Sequence, residues 1–378
     1  MPETFESVLK ERFNRRSLLG GLLTTIPAAG LMTGKDTVAA GSIPEAAANE
    51  AKRDTRIQFK PLAGSKADRI EVAEGYKSSV LIKWGDPLFN DSPAFDPQNQ
   101  SPEAQAKQFG YNNDWMGYSP LPAHDVQNPG RGLLAVNHEY TNPELMFLNH
   151  GGFNAQTAAQ TAIELQAHGL TVVEIARDAT GSWRYVQGSQ FNRRITATTP
   201  FEITGPAAGN DALKTRADAT GRRVLGTLNN CAGGQTPWGT ILSGEENFHQ
   251  YFSNAGAVTN ARAGAVNANY GLPAANGEYP WARHEDRFDM AKEPNEPNRF
   301  GWIVEIDPYH PQSIPRKRTA LGRLRHEGCT IQVARSGQIV AYTGDDERFQ
   351  FAYKFVSKGR YNPFDRLAND SLLDDGTL

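Results

Sequence analysis

The sequence predicts an all-β-dominated fold built from propeller-like blades, with long loops inserted between strands. Three observations carry this. Residues 330–356 read as three consecutive antiparallel strands. Strand–turn–strand patterns of the same kind occur earlier in the chain. The 378 residues include 36 glycines and 23 prolines, about 16% together against an ordinary share of roughly 12%, a density of tight turns that suits β-rich folds. A β-sandwich is the alternative architecture.

The elements follow in chain order. Arg12-Phe-Asn-Arg15-Arg16-Ser17 precedes an apolar run from Leu18 to Met32, and Val38-Ala39-Ala40 offers small residues for cleavage. The run is shorter than a membrane span, so residues 1–40 read as a twin-arginine export signal. A short amphipathic helix with an incidental arginine pair is the plainer alternative. No other stretch is long and apolar enough to span a bilayer, and no stable membrane anchor is expected. Residues 41–68, rich in Ala, Glu, Lys and Ser without a period, read as a flexible linker. The body, 69–378, then holds strand candidates at Ser79–Trp84 and Gly132–Asn137. Leu170–Ile175 and Ser182–Val186 flank an Asp/Gly turn and form a hairpin. Gly301–Pro308 repeats its first half, and Thr330–Ala334, Gln338–Thr343 and Phe349–Val356 form the closing meander. The long connections 85–130 and 253–298 are places where function is expected.

Charge and motif content exclude several classes. A net charge of −3 gives no basic footprint for nucleic acid. Two cysteines cannot build a disulfide scaffold or a four-thiolate zinc site. There is no phosphate-binding G-x-x-x-x-G-K-[ST] loop, no G-x-S-x-G elbow and no H-E-x-x-H.

Chemistry-bearing residues cluster where strands end. Asn137-His138-Glu139 follows an apolar strand, and Asn137 and Glu139 share a side, so both can offer oxygen to a hard cation. A solvated loop is the plain alternative. Asn229-Asn230-Cys231-Ala232-Gly233-Gly234 places a thiol among residues that let backbone approach closely, and Glu245-Glu246 ends a short strand beyond it. Cys231 can ligate a transition metal, rest as a structural thiol, or pair with Cys329 in an oxidising compartment. Glu245 and Glu246 face opposite ways in extended chain, so both serve one site only where the chain bends. Arg325-His326-Glu327 precedes the meander, with Glu327 a ligand candidate or a turn residue. Asp345-Asp346-Glu347 sits in its second turn, as a calcium site or an exposed acidic turn.

These segments resemble the PhoX family of exported alkaline phosphatases, from about residue 75 to the last residue. Trp84–Phe89, Phe109–Asp114, Val136–Thr141, Glu245–Asn247, Arg325–Glu327 and Gly344–Phe349 carry the likeness, and Asn229–Gly239 is its most specific element. The resemblance implies a six-bladed propeller and a phosphomonoesterase whose cofactor combines ferric iron (Fe3+) with calcium. It implies that Cys231 binds iron, and that Glu246, or its neighbour Glu245, and Glu327 are carboxylate metal ligands; Glu139 and Asp345 or Asp346 are further candidates. It implies a small phosphomonoester substrate, passage through the twin-arginine machinery, and a periplasmic or secreted product. Family members are longer, with an Arg-Pro-Glu-Trp segment and a further Asp that are not found before Leu378. The chain therefore reads as a fragment whose propeller is incomplete. A non-catalytic, metal-stabilised propeller that binds a partner, or a truncated inactive relative, is the competing reading.

Overall fold

The computed structural model describes residues 59–123 and 130–378. The export signal at 1–40 and residues 41–58 of the linker lie outside the described residues. The chain divides into two units, Met1–Ser78 and Ser79–Leu378. The described part of the first contains neither helix nor strand.

The second unit is mostly strand. Its first sheet contains β1 (Asn113–Pro120), β2 (Arg131–His138), β3 (Gly169–Arg177), β4 (Trp183–Tyr185) and β5 (Arg193–Ile195). β2 and β3 lie inside it and read as near-continuous apolar runs because both faces are covered. The β3–β4 hairpin forms as the sequence predicts. Asp178 Oδ1 accepts from the backbone N–H of Thr180 at 2.9 Å and of Ser182 at 3.0 Å, and Gly181 takes φ +81°, where a side chain would be strained.

The second sheet contains β6 (Pro200–Thr204), β7 (Arg223–Leu225), β8 (Asn230–Gln235), β9 (Ile241–Glu245), β10 (Ile303–Ile306) and β11 (Arg316–Arg318), in the order β7-β6-β11-β10-β9-β8. Its one parallel pair is β6–β11. The third sheet is an antiparallel meander of β12 (Thr330–Val333), β13 (Gln338–Gly344), β14 (Ala352–Arg360) and β15 (Gly376–Thr377). The all-β expectation therefore holds. The four-stranded repeat expected of blades is explicit only in this last sheet; the other two carry five and six strands.

Two sequence expectations give way to local chemistry. Residues 79–84 are not a strand. Val80 is exposed, and Asp86 Oδ2 accepts from Lys83 N at 2.9 Å, closing a turn where a ladder would begin. The long connection 253–298 is not an open loop. It holds the helix Ala261–Asn269 and several short 3₁₀ turns, and it buries Tyr279, Trp281 and Phe288 in the main core against Tyr251 and Phe252. Tyr251 in turn meets His168 Nε2 at 3.0 Å. Among the described residues no helix is long and apolar enough to cross a membrane.

Candidate metal centre

The site begins with two β-bulges. β1 and β2 pair from Asn113 opposite His138, and the register slips before Met116. β8 and β9 pair from Asn230 opposite Glu245, and the register slips before Gly233. The slipped residues include Asp114 in one pair and Cys231 in the other. A bulge adds an unpaired residue and redirects its side chain. Here the two redirected side chains meet, because β8 packs on β1 and β2. Ligand atoms of Asp114, Glu139 and Cys231 all lie within 4.8 Å of one another.

Close backbone approach makes this possible. A Cβ on Gly234 would stand 1.9 Å from Cys329 O, and one on Gly244 2.2 Å from His326 O. Both positions exclude any side chain, so β8 and β9 lie directly against the 326–329 segment and bring Glu327 alongside. Asn137, fully buried, donates its amide to the carbonyl of Cys231 and to that of Ala232 at 3.5 Å. Glu139 N donates to Asn112 O at 3.1 Å. Glu246 N donates to Asn229 O at 3.0 Å, and Asn247 N to Asn229 Oδ1 at 2.8 Å. Asn229 adopts φ +51°, a left-handed conformation that asparagine tolerates.

Around this frame the acidic side chains gather. Glu139 lies within hydrogen-bonding reach of Asp114 and Glu246. Asp346 and Cys231 act on the Glu246 carboxyl, and Glu246 and Asp114 act on the Cys231 thiol. The charge of Glu327 is felt at Glu139. Burial, followed by repulsion from Asp114, raises Glu139 to about 7. Burial, followed by contact with Asp346, raises Glu246 to about 8. Burial and the charge of Glu246 push the Cys231 thiol far above its ordinary range. The nearby cations are committed elsewhere: Lys317 pairs with Glu245, and Arg325 with Glu347. Glu139 and Glu246, buried among other acids, release their protons more readily once positive charge arrives.

The structure thus brings together Cys231, Glu139, Glu246 and Asp346, with Glu327 beside them, and turns two candidates away. Glu245 points to the other face of the strand end. It is fully buried, accepts from Lys317 Nζ at 2.6 Å, and caps the Gly301 and Trp302 N–H groups at 3.1 and 3.2 Å. Asp345 turns back to accept from Arg325 N at 3.3 Å, and its backbone bridges His326. Asp114 is the residue that sequence reasoning missed. Phe109–Asp114 carries the family likeness, but nothing in the segment marks the strand or the bulge that turns the Asp114 carboxylate inward. The disulfide alternative fails as well: both cysteines are free thiols, with Cys329 buried in the core of the third sheet.

The donor set fits a cation. Carboxylate and thiolate ligands stand about 2.0–2.3 Å from a transition metal, so donors to one ion gather within about 4.6 Å, and these three atoms lie within 4.8 Å of one another. A thiolate suits iron and carboxylates suit calcium. Fold and site together define an all-β protein with a thiolate–carboxylate centre able to hold metal.

The comparisons give that class its family. The chain matches the family described as alkaline phosphatase PhoX over residues 57–378, and it belongs to that family. It is similar to a solved structure of Pseudomonas fluorescens PhoX in complex with vanadate, a transition state analogue, at 46% identity and a TM-score of 0.77. The match covers 84% of this chain and 53% of that one. The chain therefore spans about half the length of the relative. No protein of curated function matches it.

Proposed function

We propose that this chain provides the metal centre of an exported alkaline phosphatase that hydrolyses phosphate monoesters. The observation that carries the reading is the convergence of Asp114, Glu139 and Cys231 in a chain 46% identical to a phosphatase solved with a transition-state analogue. In this reading Cys231 holds iron. Glu139, Glu246, Glu327, Asp114 and Asp346 hold iron and calcium between them. Bound cations would take up phosphate oxygens and offset the charge that develops in phosphoryl transfer.

The residues' own part is preorganisation. Asn137 and Asn229 fix the backbone that presents Cys231 and Glu246, and the raised acids exchange their protons for metal charge. The three sheets are read as successive blades of the family's propeller. The twin-arginine segment directs the product to the periplasm or the medium, a route that allows folding with metal before export.

The test is phosphate release from a chromogenic monoester by protein loaded with iron and calcium. The expected result is turnover that chelation abolishes and that Cys231→Ser removes together with bound iron. Metal-loaded protein that binds both ions and releases no phosphate overturns the reading.

A further inference from the structure

Beside the metal centre lies a cavity of about 510 Å³, within the size range of small-molecule sites. Glu139 lines it, so the same residue borders both the metal centre and the cavity. Its wall includes Tyr279, which is buried with its ring stacked on Tyr251 and its hydroxyl donating to Thr141 O at 2.9 Å. Gln156 and His150 also form the wall. Gln156 is only 3% exposed. Its Nε2 is engaged by Thr161 and Glu164, yet its buried Oε1 has no partner, and neither has His150 Nε2. Both atoms lie beneath the cavity wall, closed to solvent. Glu144 and Glu278 are exposed at the rim, and no Lys or Arg lines the cavity among the described residues.

We propose that this cavity receives the alcohol portion of the phosphate ester and selects an amino alcohol over an alcohol that carries a second anionic group. The proposal rests on the phosphatase reading above. A protonated amine brings positive charge to a cavity lined by Glu139, Glu144 and Glu278 and, among the described residues, by no Lys or Arg. A carboxylate or second phosphate meets repulsion from Glu144 and Glu278 and finds no cation. In the reaction, water adds across the P–O ester linkage, releasing inorganic phosphate and the free amino alcohol.

The experiment compares kcat/KM for 2-aminoethyl phosphate and 3-phosphoglycerate in metal-loaded protein, in the wild type and in Glu144→Gln, Glu278→Gln and the double variant. The aminoethyl ester is expected to be preferred, and each substitution to reduce the preference about two- to fivefold, the scale of an exposed charge pair. Equal rates for the two esters, or a preference unmoved in the double variant, overturn the proposal while the phosphatase reading stands. If neither ester is hydrolysed, the chromogenic monoester alone decides the phosphatase reading, and binding decides the cavity. Saturation-transfer NMR with 2-aminoethylphosphonate on the metal-free chain should then show contact that the double variant weakens; no contact, or equal contact in both proteins, overturns it.

Discussion

Asn229 holds Glu246 by backbone and side chain at once. Its carbonyl accepts from Glu246 N at 3.0 Å, and its Oδ1 accepts from Asn247 N at 2.8 Å. Asn229 stands two residues before Cys231, so one asparagine couples the thiol's strand to the carboxylate's. Its own Nδ2 donates to Tyr251 Oη at 3.1 Å, anchoring the clamp in the aromatic core. Centres that need ligands held to fractions of an ångström depend on such supporting contacts.

Asn229→Ala is therefore expected to weaken metal retention about 10–100-fold, the scale on which supporting contacts act, and to lower stability by about 1–3 kcal/mol through lost buried hydrogen bonds. Metal titration and denaturant unfolding measure the two effects. Unchanged metal retention would mean that Glu246 is aimed by something else.

Glu245 and Glu246 should respond oppositely to the same substitution. Glu245→Gln leaves Lys317 buried with no carboxylate partner, a change that costs about 3–5 kcal/mol when one half of a buried pair is removed, and the loss should appear with or without metal. Glu246→Gln removes a repelled acid. It should leave the metal-free protein at least as stable as the wild type at pH 8, while metal binding falls. Thermal melts of both variants, chelated and loaded, separate the two roles.

Chelation should lower the melting temperature of the wild type, because ligand binding to the folded state alone stabilises it by mass action. The effect should shrink in Cys231→Ser and in Asp114→Asn. A melting temperature indifferent to chelator in the wild type would show that the cluster holds no metal under those conditions.

His168 makes a pH prediction with a definite sign. It is fully buried, meets Glu164 O at 2.7 Å and Tyr251 Oη at 3.0 Å, and burial lowers it to about 4. An unfolded histidine binds a proton below about 6.5, whereas the folded one resists it until about 4. Between those values the unfolded state holds more protons. The contribution of His168 is thus complete above about 6.5 and is lost as the pH falls, at up to about 1.4 kcal/mol per pH unit. Stability curves from pH 7 to 4 should be less steep in His168→Gln than in the wild type. Equal slopes would show that this histidine gains its proton without unfolding.

Much of this protein is legible from local pattern. β2 and β3 are apolar runs long enough to declare themselves, and Asp178 with Gly181 specifies a hairpin through side-chain acceptance and positive φ, both short-range effects. The meander after Thr330 pairs its strands in chain order, as expected. Cys231, Glu139 and Glu246 were visible as polar residues at strand ends. Residues 79–84 misled because an apolar run gives no sign of whether a neighbouring strand waits to pair with it.

The β class, the turns and most of the residues with metal chemistry follow from the sequence alone, because these depend on side-chain type and on contacts a few residues apart. Only the tertiary structure decided which of two adjacent glutamates enters the site. Glu245 is claimed by Lys317, 72 residues away, and Glu246 is released to the cluster. Only the structure admitted Asp114, because a register slip against β2 redirects it. Both choices turn on which strand lies next to which, and that is settled by packing between segments far apart in the chain, where no local spacing carries the information.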